Sequence, residues 1–322
     1  MKVLVSGGAG YIGSHTVALL KLKGHHVVVL DSLEKGHRGA IPPDVPFYEG
    51  EVSDVDLLRK IMTEHMLEGV IHFAGYTEVG ESVEKPGKYF QNNFVAAKAL
   101  VDCCVEFNVP RFVFSSTAAV YGIPEEIPIS EEVAKKPINP YGQSKLAFEY
   151  LLESYANAHS ISCVALRYFN AAGAGLEVGE DHDPETHLIP IILQVALGKR
   201  SHLKIFGEDY DTPDGTCVRD YIHVLDLAEA HVLALEKIEG GFHALNLGNG
   251  VGYSVRQIIE VAREVTEREI KTEPADRRPG DPDILVADPT KAKDLLGWNP
   301  TRSLEEIITS AWEWHSSHPD GY

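Results

Sequence analysis

Short apolar runs rich in Val, Ile and Phe alternate along the chain with segments whose apolar positions recur at helical spacing. Lys2 to Ser6, His26 to Asp31, Gly69 to Ala74, Arg111 to Ser116 and Ser162 to Tyr168 read as strands. Ile12 to Lys23, Val55 to His65, Tyr89 to Phe107 and Tyr141 to His159 read as helices between them. Strictly alternating elements of this kind predict an α/β chain with a doubly wound parallel sheet. After Tyr168 the rhythm weakens, and Asn170 to Thr186, rich in Gly, Ala and acidic residues, reads as a loop. A second, smaller α/β lobe is expected beyond it, with helices at Leu225 to Lys237, Ser254 to Val265, Pro289 to Leu296 and Ser303 to His315. The expected division is 1–170 for a Rossmann-type domain and 171–322 mainly for a substrate lobe, with 223–250 able to pack back on the first. The chain contains no internal repeat and no low-complexity stretch.

In such sheets ligands sit beyond the carboxyl ends of the strands, so the residues just after Ser6, Asp31, Ala74 and Ser116 are expected to converge on one crevice. Gly7-Gly8-Ala9-Gly10-Tyr11-Ile12-Gly13 follows the first strand and opens a helix. There, backbone N–H groups and a helix N-terminus meet a pyrophosphate with no Cβ in the way. The spacing is G-x-x-G-x-x-G, one residue longer than the usual dinucleotide fingerprint, and by itself it also suits a tight strand-to-helix turn, the lesser of the two readings. Asp31, at the end of the second strand, changes the balance. A carboxylate there accepts hydrogen bonds from the adenosine ribose and repels a 2′-phosphate, which favours NAD over NADP. Lys35 or Arg38 turned toward it would weaken that argument.

Tyr141 and Lys145 lie four residues apart on a predicted helix and therefore share a face. A free phenol has a pKa of about 10 and is a poor base at neutral pH unless positive charge stabilises its phenolate. Lys145 and an oxidised nicotinamide are the expected sources of that charge. A Y-x-x-x-K pair also occurs by chance on exposed helices. Thr117, following the strand end Ser115-Ser116, adds a hydroxyl at the sheet's carboxyl edge, although a Ser/Thr cluster there also serves simply to satisfy a strand end.

The 322 residues carry 29 Lys and Arg against 48 Asp and Glu, a formal charge of −19. With no basic run, a nucleic-acid partner is not expected. Met1 leads directly into an apolar strand, leaving no room for a signal peptide, and no apolar run is long enough to span a bilayer. The four cysteines, Cys103, Cys104, Cys163 and Cys217, show neither metal-like spacing nor a disulfide framework, so reduced thiols, a cytoplasmic location and no metal are expected.

The glycine loop, Asp31, the Ser115-Ser116-Thr117 strand end and the Tyr141/Lys145 pair together resemble the extended short-chain dehydrogenase/reductase superfamily. Val79-Gly80-Glu81-Ser82-Val83, Arg167-Tyr168-Phe169-Asn170, Asp214 to His223 and Arg277-Arg278-Pro279-Gly280-Asp281 are similar to motifs of its UDP-glucose 4-epimerase family. The likeness runs from Lys2 to the closing Tyr322. It implies reversible inversion at C4 of a UDP-hexose through a 4-keto sugar with tightly bound NAD. Tyr141 would move the hydroxyl proton, with Lys145 and Thr117 assisting. It assigns NAD contacts to Gly7, Gly10, Tyr11, Ile12, Gly13, Asp31, Ser32, Glu51, Val52, Phe73, Ala74, Gly75, Thr77, Asn92, Tyr141, Lys145 and Phe169. It assigns the nucleotide sugar to Thr117, Asn170, His187, Leu188, Phe206, Arg219, Tyr221, Arg278, Asp281 and Leu285. Two guanidiniums suit a diphosphate by their fork geometry, and surface ion pairing is the other reading of Arg219 and Arg278. The likeness also implies a homodimer joined through the helices near Tyr89 to Phe107 and Tyr141 to His159.

Four positions depart from the family pattern: Thr77 stands for a lysine, Glu51 for an aspartate, His187 for an asparagine, and Leu285 occupies a place whose size varies with the sugar accepted. A different UDP-sugar, an N-acetylhexosamine or a uronate, therefore stays open. A 4,6-dehydratase needs an acid/base carboxylate pair after the strand-end threonine, where this chain has Ala118 and Ala119. A net reductase or decarboxylase would release NADH or carbon dioxide, and a pure binding protein would need none of Thr117, Tyr141 and Lys145.

Overall fold

The computed structural model describes residues 1–278 and 280–322; Pro279 of the Arg277–Asp281 motif lies outside the described residues. The first half runs β1 (Lys2–Ser6), α1 (Tyr11–Leu22), β2 (His26–Asp31), β3 (Phe47–Glu49), α2 (Val55–His65), β4 (Gly69–His72), α3 (Val79–Glu84), α4 (Pro86–Phe90), α5 (Ala97–Glu106), β5 (Arg111–Thr117), α6 (Pro140–Ala158) and β6 (Ser162–Tyr168). The second half runs β7 (Asn170–Ala172), α7 (Leu188–Ala196), β8 (Leu203–Phe206), β9 (Val218–His223), α8 (Val224–Lys237), β10 (Phe242–Leu247), β11 (Gly252–Ser254), α9 (Val255–Thr266), β12 (Thr272–Ala275), β13 (Ile284–Leu285), α10 (Thr290–Leu296) and α11 (Leu304–Ser317).

Seven strands form one sheet in the order β10-β6-β5-β4-β1-β2-β3, every neighbouring pair parallel. The doubly wound sheet expected from the alternation is therefore present. Its apolar runs are continuous because both faces are covered. Val3 and Val5 of β1 pack with Val17 and Leu20 of α1 and Leu227 and Leu235 of α8. Leu4 points the other way, toward Leu58 and Ile61 of α2, Leu100 of α5 and Phe148 of α6. Strand β10, from residue 242 onward, completes the edge beside β6, so α8 and β10 belong physically to the large sheet layer.

The second lobe is built on β11-β9-β13, with β7 also paired to β9, and on the two-stranded β12-β8 pair. A third core of Ile189, Ile192, Leu193, Ile258, Ile259, Ile307 and Ile308 lies between α7, α9 and α11. Capping boxes at Ser254/Gln257 and Ser303/Glu306 start α9 and α11. Each satisfies two helix-end N–H groups that would otherwise lack partners.

Three elements differ from the pattern reading. Strand β4 stops at His72 rather than Ala74, because the amides of Phe73 and Ala74 both turn onto the carbonyl of Ser6, at 2.8 and 3.1 Å. The helix expected over Tyr89 to Phe107 is α4 and α5 joined by a π-helical segment at Gln91–Ala96, an insertion that helical periodicity does not reveal. Helix α7 follows the expected loop at a place where the sequence reading assigns no element: Leu188–Ala196 is apolar almost all round, and its Pro190 sits in the first turn, where no hydrogen bond is lost. No helix among the described residues is long and apolar enough to cross a membrane.

Candidate active site

Helix α6 begins with Pro140 in its first position and Asn139 as its cap, the Asn139 side chain accepting from the Gly142 amide at 2.8 Å. This start sets the rotation of the helix, and Tyr141 and Lys145 both face inward, 9 % and 2 % exposed. Lys145 Nζ donates to the Ser115 carbonyl at 3.0 Å and lies 4.9 Å above the centre of the Phe114 ring. Thr117, the last residue of β5, lies close enough to the Tyr141 hydroxyl to favour its anion. One phenol, one ammonium and one hydroxyl are thus gathered at the carboxyl edge of β5.

Burial raises the Tyr141 phenol above its ordinary 10.0, and Thr117 pulls only partly against it. Burial lowers Lys145 to about 8. In the protein alone, burial thus opposes the ionisation for which an oxidised nicotinamide and Lys145 are together the expected sources of charge. The Lys145 ammonium is spent on the Ser115 carbonyl, and desolvation weakens the very charge that would help. A second cation beside the phenol is required before ionisation at neutral pH becomes favourable.

The glycine loop is as tight as its sequence suggests. Gly7 has a φ of +71°, and a Cβ there would lie 2.4 Å from the Ala74 amide; a Cβ on Gly13 would lie 2.2 Å from the Gly7 carbonyl. The turn reading of these glycines is thus correct, and it does not exhaust them. Gly10 starts α1 with no side-chain cap, leaving the helix N-terminus by Tyr11 and Ile12 to an external acceptor. Asp31, 7 % exposed, stands across this loop: Oδ2 accepts from the Ala9 amide at 2.8 Å and Oδ1 from the Leu33 amide at 2.9 Å. Desolvation raises its pKa. Lys35 is turned away onto the Asp183 carbonyl and Glu78, and Arg38 onto the Ile41 carbonyl and the Phe47 ring, so neither neutralises Asp31. An uncapped helix start, a loop closed to side chains and an adjoining carboxylate fit NAD, and fit NADP poorly.

The remaining residues assigned to the cofactor are less uniform. Val52 is buried, whereas Ser32, Glu51 and Thr77 are exposed. Phe73 packs with its ring centre 4.6 Å from that of His231. A Cβ on Gly75 would sit 3.2 Å from both Lys145 Nζ and Asn93 Oδ1. Asn92 donates to Asn93 at 3.2 Å, and Phe169 packs beside Val120, Tyr121, Ile129 and Leu146.

In the second lobe β9 does the gathering. Tyr221 pairs with Asn170 of β7, and Arg219 pairs with Leu285 of β13. Arg219 Nη2 lies 2.5 Å from Asp281 Oδ1, so these two are already an ion pair. Arg278 stacks over Phe206, 4.2 Å from the ring centre. Leu188 opens α7 and His187 caps it, but the His187 ring turns back: Nδ1 is 2.9 Å from Glu185 Oε1 and 3.1 Å from Glu180 Oε1. Its placement among carboxylates is unlike that of an asparagine aimed at a sugar.

Several supporting residues escaped the pattern reading. Arg167, inside a motif noted only as a string, is buried with Glu149, which also accepts from Ser116 Oγ at 2.5 Å. Its Nη1 donates to the Tyr121 hydroxyl at 2.8 Å, which in turn donates to Asn246 at 2.7 Å. Tyr168 hydrogen-bonds Ser115 Oγ. Asn93 accepts from the Tyr76 amide at 2.9 Å and donates to Ser144 Oγ at 3.3 Å. Burial is the common signal, and only the fold supplies it.

Residues 3–248 match the NAD dependent epimerase/dehydratase family. The UDP-glucose 4-epimerase of Halalkalibacterium halodurans is 52 % identical over 327 residues, covering 100 % of this chain and 98 % of its own. That of Streptococcus mutans is 53 % identical over 329 residues, covering 100 % and 99 %. A crystal structure of the UDP-glucose 4-epimerase from Brucella ovis in complex with NAD superposes with a TM-score of 0.94 at 47 % identity, over 97 % of this chain and 98 % of that one.

Proposed function

The chain belongs to the NAD-dependent epimerase/dehydratase family and inverts UDP-hexoses at C4 with NAD, and from that premise we propose which residues carry out the reaction. When bound, NAD accepts hydride from C4 of the sugar and returns it to the opposite face, so no cofactor is consumed. Tyr141 takes the C4 hydroxyl proton on the way to the 4-keto sugar and restores it afterwards. Thr117, close to that phenol, stabilises its anion. Lys145, anchored on the Ser115 carbonyl, adds a fixed positive charge one helical turn away. The observation that carries this reading is the burial of Tyr141, Thr117 and Lys145 together at the end of β5, in a sheet whose first strand leads into the uncapped start of α1. Dehydration is disfavoured on chemical grounds, since Ala118 and Ala119 supply neither acid nor base.

Residues 1–170, with 223–250 packed on them, are proposed to hold NAD, and 171–322 mainly the nucleotide sugar. Arg278 over Phe206 and Arg219 beside Asp281 support a site for a uridine diphosphate. Leu285, packed in the cluster of Val120, Tyr121 and Ile129, fills its corner with a branched side chain, which supports unsubstituted UDP-glucose and UDP-galactose as substrates, within galactose metabolism. A homodimer joined through the helices near Tyr89 to Phe107 and Tyr141 to His159 is supported by the exposed apolar side chains Phe90, Val95 and Tyr150 on those segments. Free Cys103, Cys104, Cys163 and Cys217 support a reducing, cytoplasmic setting.

The purified protein, incubated separately with UDP-glucose, UDP-N-acetylglucosamine and UDP-glucuronate, is expected to convert the first to UDP-galactose and to turn over the others poorly, as read by chromatography. Faster epimerisation of the acetamido sugar would overturn the role given to Leu285. Release of a 4-keto-6-deoxy sugar would overturn the epimerase reading itself.

A further inference from the structure

Glu180, His182, Glu185 and His187 present one donor atom each to a common point, all four within 4.8 Å of one another. His182 Nδ1 lies 3.0 Å from Glu180 Oε1 and 3.9 Å from Glu185 Oε2; His187 Nδ1 lies 3.1 and 2.9 Å from the Oε1 atoms of the same two residues. A tetrahedral zinc ion with bonds of about 2.0–2.2 Å needs donors roughly 3.4 Å apart, and four donor atoms within 4.8 Å of one another reach that spacing with small shifts of the side chains. The carboxylates are deep, each side chain 4 % exposed, while the imidazoles close the open side at 28 % and 48 %. Two carboxylates in so small and dry a volume need positive charge beside them, which the His182 and His187 rings hydrogen-bonded to them supply when protonated and a divalent cation would supply in place of those protons.

We propose that this cluster is a structural zinc site, formed by Glu180, His182, Glu185 and His187 on the loop leading into α7. The donor set selects the metal. Two imidazoles argue against magnesium and calcium, which prefer oxygen alone, and four protein ligands in tetrahedral range leave no open position for catalysis. Two carboxylates and two neutral imidazoles around a divalent ion sum to zero charge. The cysteine spacing predicts no metal; the donors here are instead the carboxylates and imidazoles of an E-x-H-x-x-E-x-H string.

The surroundings hold the donors in place before any metal arrives. The amides of Thr186 and His187 donate to Glu185 Oε1 at 2.6 and 2.7 Å, fixing that carboxylate. Upstream, the Gly179 amide donates to the Tyr322 hydroxyl at 2.8 Å, and Asp181 accepts from the Tyr322 amide at 3.1 Å, so the C-terminus clamps the loop. The His182 ring meets Tyr11 edge-on, 6.1 Å between centres, which ties the cluster to the start of α1. A zinc ion here would lock the loop between the glycine turn and α7.

The test uses the untagged full chain, stripped with dipicolinate, dialysed, and titrated with zinc chloride against a chromogenic chelator, with metal content read by mass spectrometry. One zinc per chain is expected, with sub-micromolar affinity and a melting temperature that rises with zinc and not with magnesium. Glu180→Gln and His182→Ala should each weaken zinc binding by about 100-fold, and His182→Cys, which keeps a ligand, should restore most of it. Should His182→Ala fail to fold, Glu180→Gln and the wild-type stoichiometry decide the question. Substoichiometric zinc in the wild type, or equal affinity in wild type and variants, would show that the cluster is an ion-paired network only.

Discussion

Tyr141 shows how far a single side chain depends on its surroundings. Its phenol is pushed up by burial, the Lys145 ammonium is pushed down to about 8, and the two shifts oppose ionisation in the protein alone. The positive charge of an oxidised nicotinamide, were it held beside the phenol, would favour its ionisation, so the phenolate band of the NAD-loaded protein is expected to titrate at lower pH than that of cofactor-free protein. Equal titration midpoints in the two forms would refute this coupling. Tyr141→Phe keeps the shape and removes the exchangeable proton. It should lower kcat by about 10²- to 10⁴-fold while calorimetry finds UDP binding little changed. A variant that retains normal kcat would remove Tyr141 from the proton path.

Among the elements, the β1–α1 turn is the least tolerant. A methyl group on Gly7 would both meet the Ala74 amide and impose a side chain on a φ of +71°. Gly7→Ala is expected to cost about 1–3 kcal/mol in urea unfolding and to yield protein purified without NAD, seen in its absorbance ratio. Normal NAD content would show that the loop has room the distances deny. The join of β5, α6 and β6 is equally constrained, through Ser116, Glu149 and Arg167. With Arg167 3 % and Glu149 2 % exposed, Glu149→Gln leaves a guanidinium buried without its counter-charge. A loss of about 3–5 kcal/mol is expected from denaturant unfolding, because breaking one half of a buried pair is far worse than replacing both. A loss below about 1 kcal/mol, the range of surface pairs, would contradict the burial.

For the whole molecule, buried histidines set the acid limit. Burial lowers His72 and His223 to about 3 and His231 to about 4, so all three are neutral in the folded chain. Unfolded, they titrate near 6.5. Their neutrality therefore costs the fold nothing above pH 6.5, and each destabilises it progressively as pH falls from 6.5 toward the folded value, because the unfolded chain then binds the extra proton. His231→Gln should remove about one proton from those taken up on unfolding at pH 5, reducing the slope of stability against pH by about 1.4 kcal/mol per unit. An unchanged slope between pH 5 and 6 would mean that His231 is already charged in the folded protein.

The alternation of apolar runs with helical periods was enough to determine a doubly wound parallel sheet, because strands buried on both faces leave no other way to hide so many consecutive Val, Ile and Leu residues. The glycine spacing, Asp31, and the four-residue step from Tyr141 to Lys145 were likewise legible, since each is a local constraint on backbone or helix face. Short or irregular pieces were not: β3 and β13 have too few residues to carry a period, and the π-helical segment before α5 leaves no mark on one. What the phenol titrates like, which partner Arg219 takes, and that Glu180, His182, Glu185 and His187 face one point depended on tertiary structure alone. Burial and distances between residues far apart in the chain exist only once the chain has folded, and they, rather than residue type, set charge states and ligand geometry.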